Sequence, residues 1–173
     1  MDNTPRLIEP APQHLGTLMS WITDRQQCQQ WGGPVLRYPF SEESFREDCR
    51  WGELAAGSLI DDNGELLAFG QYYRRRERCH LGRLIVAPAR RGEGLGEILV
   101  RELARRGCAE LSASECSLFV LKDNAAAVAL YRRLGFTVAE YPEPFDWIDQ
   151  CHYMIAPAST VCAPDGLAAS NHS

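Results

Sequence analysis

The stretch from Leu81 to Ala109, LGRLIVAPARRGEGLGEILVRELARRGCA, constrains this chain more than any other. It opens on an apolar run, Leu84-Ile85-Val86, of the kind that forms a buried strand. Pro88 ends that strand, since proline cannot donate to a ladder. Arg91-Gly92-Glu93-Gly94-Leu95-Gly96 then makes a glycine-rich turn. Beyond it Leu95, Ile98, Leu99 and Leu103 recur at helical spacing, and Arg101, Glu102, Arg105 and Arg106 lie largely off that face. Gly107 reads as the helix stop. Strand, glycine turn and helix in this order aim backbone N–H groups and a helix N-terminus at one point, an arrangement that receives a phosphate.

The elements around this unit follow from periodicity. Residues 5–10 read as a short strand between prolines. Leu15, Leu18, Met19 and Ile22 give an amphipathic helix over Gln13–Thr23. Residues 24–40 read as a loop with aromatic anchors, because Trp31-Gly32-Gly33-Pro34 and Tyr38-Pro39-Phe40 interrupt any period. Ser41 is a helix N-cap with Glu42 and Glu43 in the first turn, and that helix runs to about Trp51. Asn63-Gly64 between two apolar runs is a hairpin signal. Arg74 to Arg78 makes a charged hairpin tip, and the chain returns as a strand from Cys79 to Ala87. Ser117–Leu121 is a further buried strand, and residues 124–134 form a short helix ended by Gly135. Thr137–Tyr141 and Gln150–Ile155 are the last strands.

This order predicts one α/β domain over residues 1–157. It is a mixed, mostly antiparallel sheet of about seven strands with helices on both faces. Residues 158–173 are small and polar and read as a flexible tail. A length of 173 residues suits one domain, and the apolar and charged fractions of 45% and 24% are those of a water-soluble globule. The net charge of −5 disfavours a nucleic-acid partner. No apolar run suggests a leader or a membrane span, so the reading is cytoplasmic, with no membrane partner. The cysteines at 28, 49, 79, 108, 116, 151 and 162 form no CxxC or CxxxC pair. They read as free thiols in a reducing compartment, with no metal site.

Three glycine-loop classes compete for the turn. A P-loop needs Gly-Lys-Ser/Thr, and Gly96-Glu97-Ile98 stands here instead. A dinucleotide fingerprint needs a third glycine where Glu97 stands, and it follows the first strand of its fold rather than three antiparallel ones. Arg91-x-x-Gly94-x-Gly96 resembles the (R/Q)-x-x-G-x-G/A loop of the GNAT superfamily of acyl-CoA-dependent N-acyltransferases. Asn124-x-x-Ala127-x-x-x-Tyr131-x-x-x-Gly135-Phe136 resembles the segment those proteins carry after their fifth strand. The element order is similar to theirs over residues 5–156.

That resemblance implies acetyl-CoA as co-substrate and a primary amine as acceptor. Backbone groups of Arg91, Gly92, Glu93, Gly94, Leu95 and Gly96 would cradle the CoA pyrophosphate, with Arg91, or Arg91 and Arg90 together, supplying charge and the Glu93 carboxylate turned to solvent. Leu84, Ile85 and Val86 would pair with the pantetheine arm, and an amide there, Leu84's, would polarise the thioester carbonyl. Asn124 and Ala127 would meet the CoA arm. Asn124 equally fits a plain helix N-cap.

Tyr131 matches the family's general acid, which protonates the leaving thiolate. It also fits a core tyrosine beside Ala127 and Leu134. His80 stands where several relatives carry a carboxylate base, and imidazole is a competent base near neutral pH. An ordinary half-buried strand histidine is the plainer reading. Cys79 adjoins His80, but neighbouring strand residues face opposite sides, so direct transfer in a ternary complex is favoured over an acyl-cysteine. Trp31, Tyr38 and Trp147, with Trp21 and Phe40, are candidates for an aromatic acceptor wall, and Asp146 and Asp149 for attracting a cation. The acceptor reads as a small-molecule amine or amino acid, with a protein N-terminus or lysine as the alternative. A non-catalytic acyl-CoA-binding module is a further alternative. The family also admits homodimers.

Overall fold

The computed structural model describes residues 4–144 and 146–163. Seven strands form one sheet in the order β1-β2-β3-β4-β5-β7-β6. They are β1 (Arg6–Ile8), β2 (Ala55–Ile60), β3 (Leu66–Arg75), β4 (Arg78–Val86), β5 (Glu115–Leu121), β6 (Thr137–Ala139) and β7 (Cys151–Pro157). The β4–β5 pair is parallel, whereas β1–β2, β5–β7 and β6–β7 are antiparallel. The α/β class and the mixed sheet read from the sequence are therefore correct. No helix among the described residues is long and apolar enough to cross a membrane.

The chain forms two compact units, and β3, β4 and the long helix α4 (Leu95–Leu111) contribute to both. The first unit holds residues up to Gln71 together with Arg83–Leu99. Its helices are α1 (Pro12–Trp21), α2 (Arg25–Gly32) and α3 (Glu42–Cys49). Ser41 caps α3 as expected, with Ser41 Oγ accepting from Ser44 N–H at 3.1 Å and Ser44 Oγ accepting from Ser41 N–H at 3.0 Å. The core of this unit gathers Leu15, Leu18, Leu36, Phe45, Ile60 and Phe69.

Helix α2 replaces the first part of the loop expected over residues 24–40, and residues 36–40 are irregular as expected. Asp24 starts the helix by accepting the Gln27 N–H at 2.8 Å. Cys28 is its one fully buried side chain, too little apolar signal to show a period. Gly32-Gly33-Pro34 then closes the turn, where a Cβ on Gly32 would stand 2.7 Å from Leu36.

Among the described residues, the second unit comprises Tyr72–Gly82 and the chain from Val100 to Ala163. It adds α5 (Ala125–Arg133) and the short α6 (Ala158–Val161). Gly107 is not a helix stop: α4 continues to Leu111. A Cβ at Gly107 would lie 2.5 Å from Cys79 Sγ and 3.0 Å from Tyr72 Cδ2, so glycine is there for close packing.

The tail expected from Ala158 begins instead as α6. The buried Arg101 guanidinium ties it down by donating to the Val161 and Ala163 carbonyls at 3.2 and 2.9 Å. Residues 164–173 lie outside the described residues.

Candidate active site

In the first unit, β4 runs into a short 3-10 turn, Pro88–Arg90, and then into the glycine turn. Gly92 and Gly94 have φ of 87° and 80°, left-handed values that disfavour any side chain. Nothing stands within 4 Å of the place a Cβ would take at either glycine. Open space and permissive backbone therefore coincide just before α4. Glu93 is exposed, and its carboxylate also pairs with Arg90 at 3.1 Å, while Arg90 reaches Glu65 at 3.4 Å. Arg90 is thus largely neutralised, and the exposed Arg91 carries the formal charge of the turn.

Arg83 breaks the regular geometry of β4 with φ of 50°. Its guanidinium donates to Gln71 Oε1 at 2.9 Å and to the Asp48 carbonyl at 3.0 Å, and its own carbonyl accepts from Trp31 Nε1 at 2.8 Å. Leu84, Ile85 and Val86 follow this bend and are half-buried.

Trp31 stacks on Phe45 at 5.5 Å, and Phe40 meets Phe45 and Tyr38 edge-on at 4.9 and 5.5 Å. Trp31 and Tyr38 are therefore packed against the core of this unit rather than forming a free aromatic wall, because apolar faces flanking a loop find each other first. Trp147 is half-buried in the second unit, at a left-handed φ of 74° before a 3-10 turn. A cleft of roughly 590 Å³ also opens in the first unit between α1, the β2–β3 turn and Ala87–Arg90. Trp21 and Arg90 line it, whereas none of the other candidate site residues does.

In the second unit, Asn124 caps α5 by accepting the Ala127 N–H at 3.3 Å. Tyr131 lies on that helix, half-buried, with its ring edge-on to Phe136 at 6.0 Å. Burial pushes its phenol up to about 12, so it keeps its proton through the neutral range.

His80 sits on β4 beside Ser117 of β5, with Nδ1 2.9 Å from Ser117 Oγ. Its ring centroid is 5.3 Å from Tyr73 and 5.0 Å from Phe119. Only 2% of it is exposed. Burial, reinforced by the nearby Arg75 charge, brings its pKa down to about 3. This argues against the general-base role expected of His80, since a group that weakly basic holds little of a proton taken from an amine near neutral pH.

Sequence reasoning missed what surrounds His80. Arg75 lies over the faces of Phe119 and Tyr141, at 5.1 and 5.4 Å, and donates to Tyr141 Oη at 2.9 Å and Tyr73 Oη at 3.1 Å. Tyr153 closes the group against Phe119 and Tyr141. The arginine run is thus not simply a solvated tip. Arg74 donates to the Leu111 carbonyl, Arg76 pairs with Glu143, and Arg78 pairs with Glu115. Strand parity was the available signal, since Tyr73 and Arg75 share a face of β3, as Ser117 and Phe119 share one of β5.

A strand bent near its end, a turn with two left-handed glycines and a long helix thus follow one another along the chain. The chain belongs to the acetyltransferase (GNAT) family, whose model matches residues 19–136. It is 42% identical over 123 residues to a mycothiol acetyltransferase of Corynebacterium efficiens, covering 69% of this chain and 40% of that protein. It is 35% identical over 106 residues to the ribosomal protein bS18-alanine N-acetyltransferase of Escherichia coli K12, covering 59% of this chain and 67% of that one. The chain thus spans well under half of the first relative and about two thirds of the second. Among solved structures, the fold is similar to a spermidine N-acetyltransferase from Vibrio cholerae in complex with CoA and spermine. That match has a TM-score of 0.69 and 17% identity, covering 92% of this chain and 98% of that one.

Proposed function

We propose that this chain transfers the acetyl group of acetyl-CoA to a primary amine by direct attack in a ternary complex. The open backbone cradle at Gly92 and Gly94, ahead of α4, is the observation that carries this reading. N–H groups of residues 91–96 take the pyrophosphate, and the glycines let it approach without meeting a Cβ. Arg91 adds charge, while Glu93 stays engaged by Arg90. The backbone of Leu84, Ile85 and Val86 pairs with the pantetheine arm, and the Leu84 N–H polarises the thioester carbonyl. Ala127 and the Asn124 cap lie along the CoA arm.

The amine nitrogen attacks the carbonyl carbon, the C–S bond breaks, and Tyr131 protonates the departing sulfur. The high phenol pKa suits this role, because the proton is present until a thiolate forms to take it. The amine gives its proton to water rather than to His80.

For the acceptor we favour a small molecule, an amino acid in particular. The Arg75 guanidinium, held by two phenols and two ring faces, favours an acceptor that carries a carboxylate. A protein N-terminus is the second reading, supported by similarity to the bS18-alanine enzyme. The test is free-thiol release from acetyl-CoA with a panel of amino acids, diamines and N-terminal peptides. Turnover with at least one amine is expected. Tight CoA binding with no thiol release for any acceptor overturns the enzymatic reading and leaves an acyl-CoA-binding module.

A further inference from the structure

Four of the seven cysteines, scattered in sequence, meet in the second unit. Cys79 on β4 and Cys116 on β5 are register partners across the parallel pair. Cys108 comes from α4 and places its Sγ 3.3 Å from that of Cys116. The three sulfurs lie within 4.8 Å of one another, and all three residues are buried. Gly107 permits the closure, since a Cβ there would strike Cys79 Sγ. Cys162, half-buried at the end of α6, stands against Cys108 on the outer side of the group.

We propose that Cys79, Cys108 and Cys116 bind a thiophilic d10 cation, Zn2+ or Cu+, with Cys162 at the entrance as the fourth ligand when the ion is tetrahedral. A zinc–sulfur bond of about 2.3 Å sets tetrahedral thiolates about 3.8 Å apart. Cys108 and Cys116 stand at 3.3 Å and all three sulfurs lie within 4.8 Å, so closing them on an ion requires shifts of about an ångström or less. The donor set is sulfur alone, which selects against Mg2+, Ca2+ and Mn2+.

Each ligand thiol releases its proton to solvent on binding, so the bound site is anionic. Arg74 beside Cys79, and Arg101 and Arg105 beside Cys162, offset that charge, while Glu110 beside Cys79 opposes it. A neutral thiol must lose its proton to ligate, so the ion itself drives deprotonation, and binding weakens as pH falls. The bound ion would tie β4, β5, α4 and α6 together. The inference does not rest on the proposed acetyl transfer.

The test uses the full chain, reduced and chelator-stripped without oxygen, then titrated with Cd2+ as an ultraviolet probe of thiolate ligation. Saturation at one ion per chain, with a thiolate-to-cadmium band and a raised Tm, is expected. Cys116→Ala should bind at least about tenfold more weakly. Cys28→Ala and Cys151→Ala, outside the cluster, should bind as the unaltered chain does. Competition distinguishes the ions: displacement of Cd2+ by Zn2+ with Cys162 required marks the tetrahedral form, and displacement by Cu+ without Cys162 marks the three-thiolate form. No band in the unaltered chain, or a band unchanged in Cys116→Ala, overturns the proposal. X-ray absorption on the zinc-loaded unaltered chain decides independently of any variant: three or four sulfur neighbours support it, and ligation mainly by nitrogen or oxygen, with fewer than three sulfurs, overturns it. Cys108–Cys116 disulfide formation in air, with no ion uptake when reduced, also overturns it.

Discussion

Tyr131 stands on α5 with its ring edge-on to Phe136, and burial keeps its phenol protonated through the neutral range. Tyr131→Phe keeps the ring against Phe136 and removes only the phenolic hydroxyl. Turnover should fall by about 100-fold or more, with a small change in the KM for acetyl-CoA. Steady-state kinetics under saturating acceptor measure this, and unchanged turnover removes Tyr131 from proton transfer.

His80 was legible only as a face of a strand. Parity gave its direction but not what lies there, because Tyr73, Ser117 and Phe119 arrive from other strands. With its pKa near 3, His80 cannot set a limb of the pH–rate profile near neutrality. His80→Gln, which can still hydrogen-bond Ser117, should therefore leave that limb in place. Loss of the limb would restore His80 as the base.

At the scale of elements, strong local signals survived and weak ones did not. The Asn-Gly hairpin, the Ser41 cap and the strand–glycine–helix unit were readable because each is fixed within a few residues. Helix α2 was not, since one buried cysteine gives no period. The thiol cluster was invisible for the opposite reason: its members come from four elements that meet only after folding.

Gly94→Glu places a carboxylate in the open space ahead of α4 and strains a residue at φ of 80°. CoA binding by calorimetry should be lost, whereas Gly94→Ala, which adds strain without charge, should only weaken it. Unchanged affinity in Gly94→Glu would refute the phosphate cradle. At Gly107 two effects compete. Alanine gains about 1 kcal/mol of helix propensity, but its Cβ meets Cys79 Sγ at 2.5 Å, and overpacking costs about 1–3 kcal/mol. The clash should win, lowering Tm in Gly107→Ala, and Cys79→Ala should recover part of the loss. A higher Tm in Gly107→Ala would show that the cluster has slack.

At the scale of the whole molecule, the class of fold and the strand succession could be read from the sequence, while the acid response could not, because it depends on which polar groups folding buries. His14 and His80 are the two buried histidines among the described residues. Burial lowers both below the ordinary value of 6.5, His80 to about 3. Between the folded and unfolded values, the unfolded chain binds the extra proton. Stability is therefore full above about pH 6.5 and is lost as pH falls toward the folded value, at about 1.4 kcal/mol per pH unit for one fully buried histidine. Asp48, held below the usual carboxylate value mainly by Arg37, adds a loss of the same sign, but only near and below its ordinary value of 3.8. The window from pH 7 to 5 thus isolates the histidines. Over that window the unaltered chain should lose about 2 kcal/mol more than His80→Gln. Urea unfolding at both pH values measures the difference, with His14→Gln read separately. Equal losses in the unaltered chain and His80→Gln would mean that water reaches the imidazole and that the packing of Tyr73 and Phe119 around it is looser than their ring contacts imply.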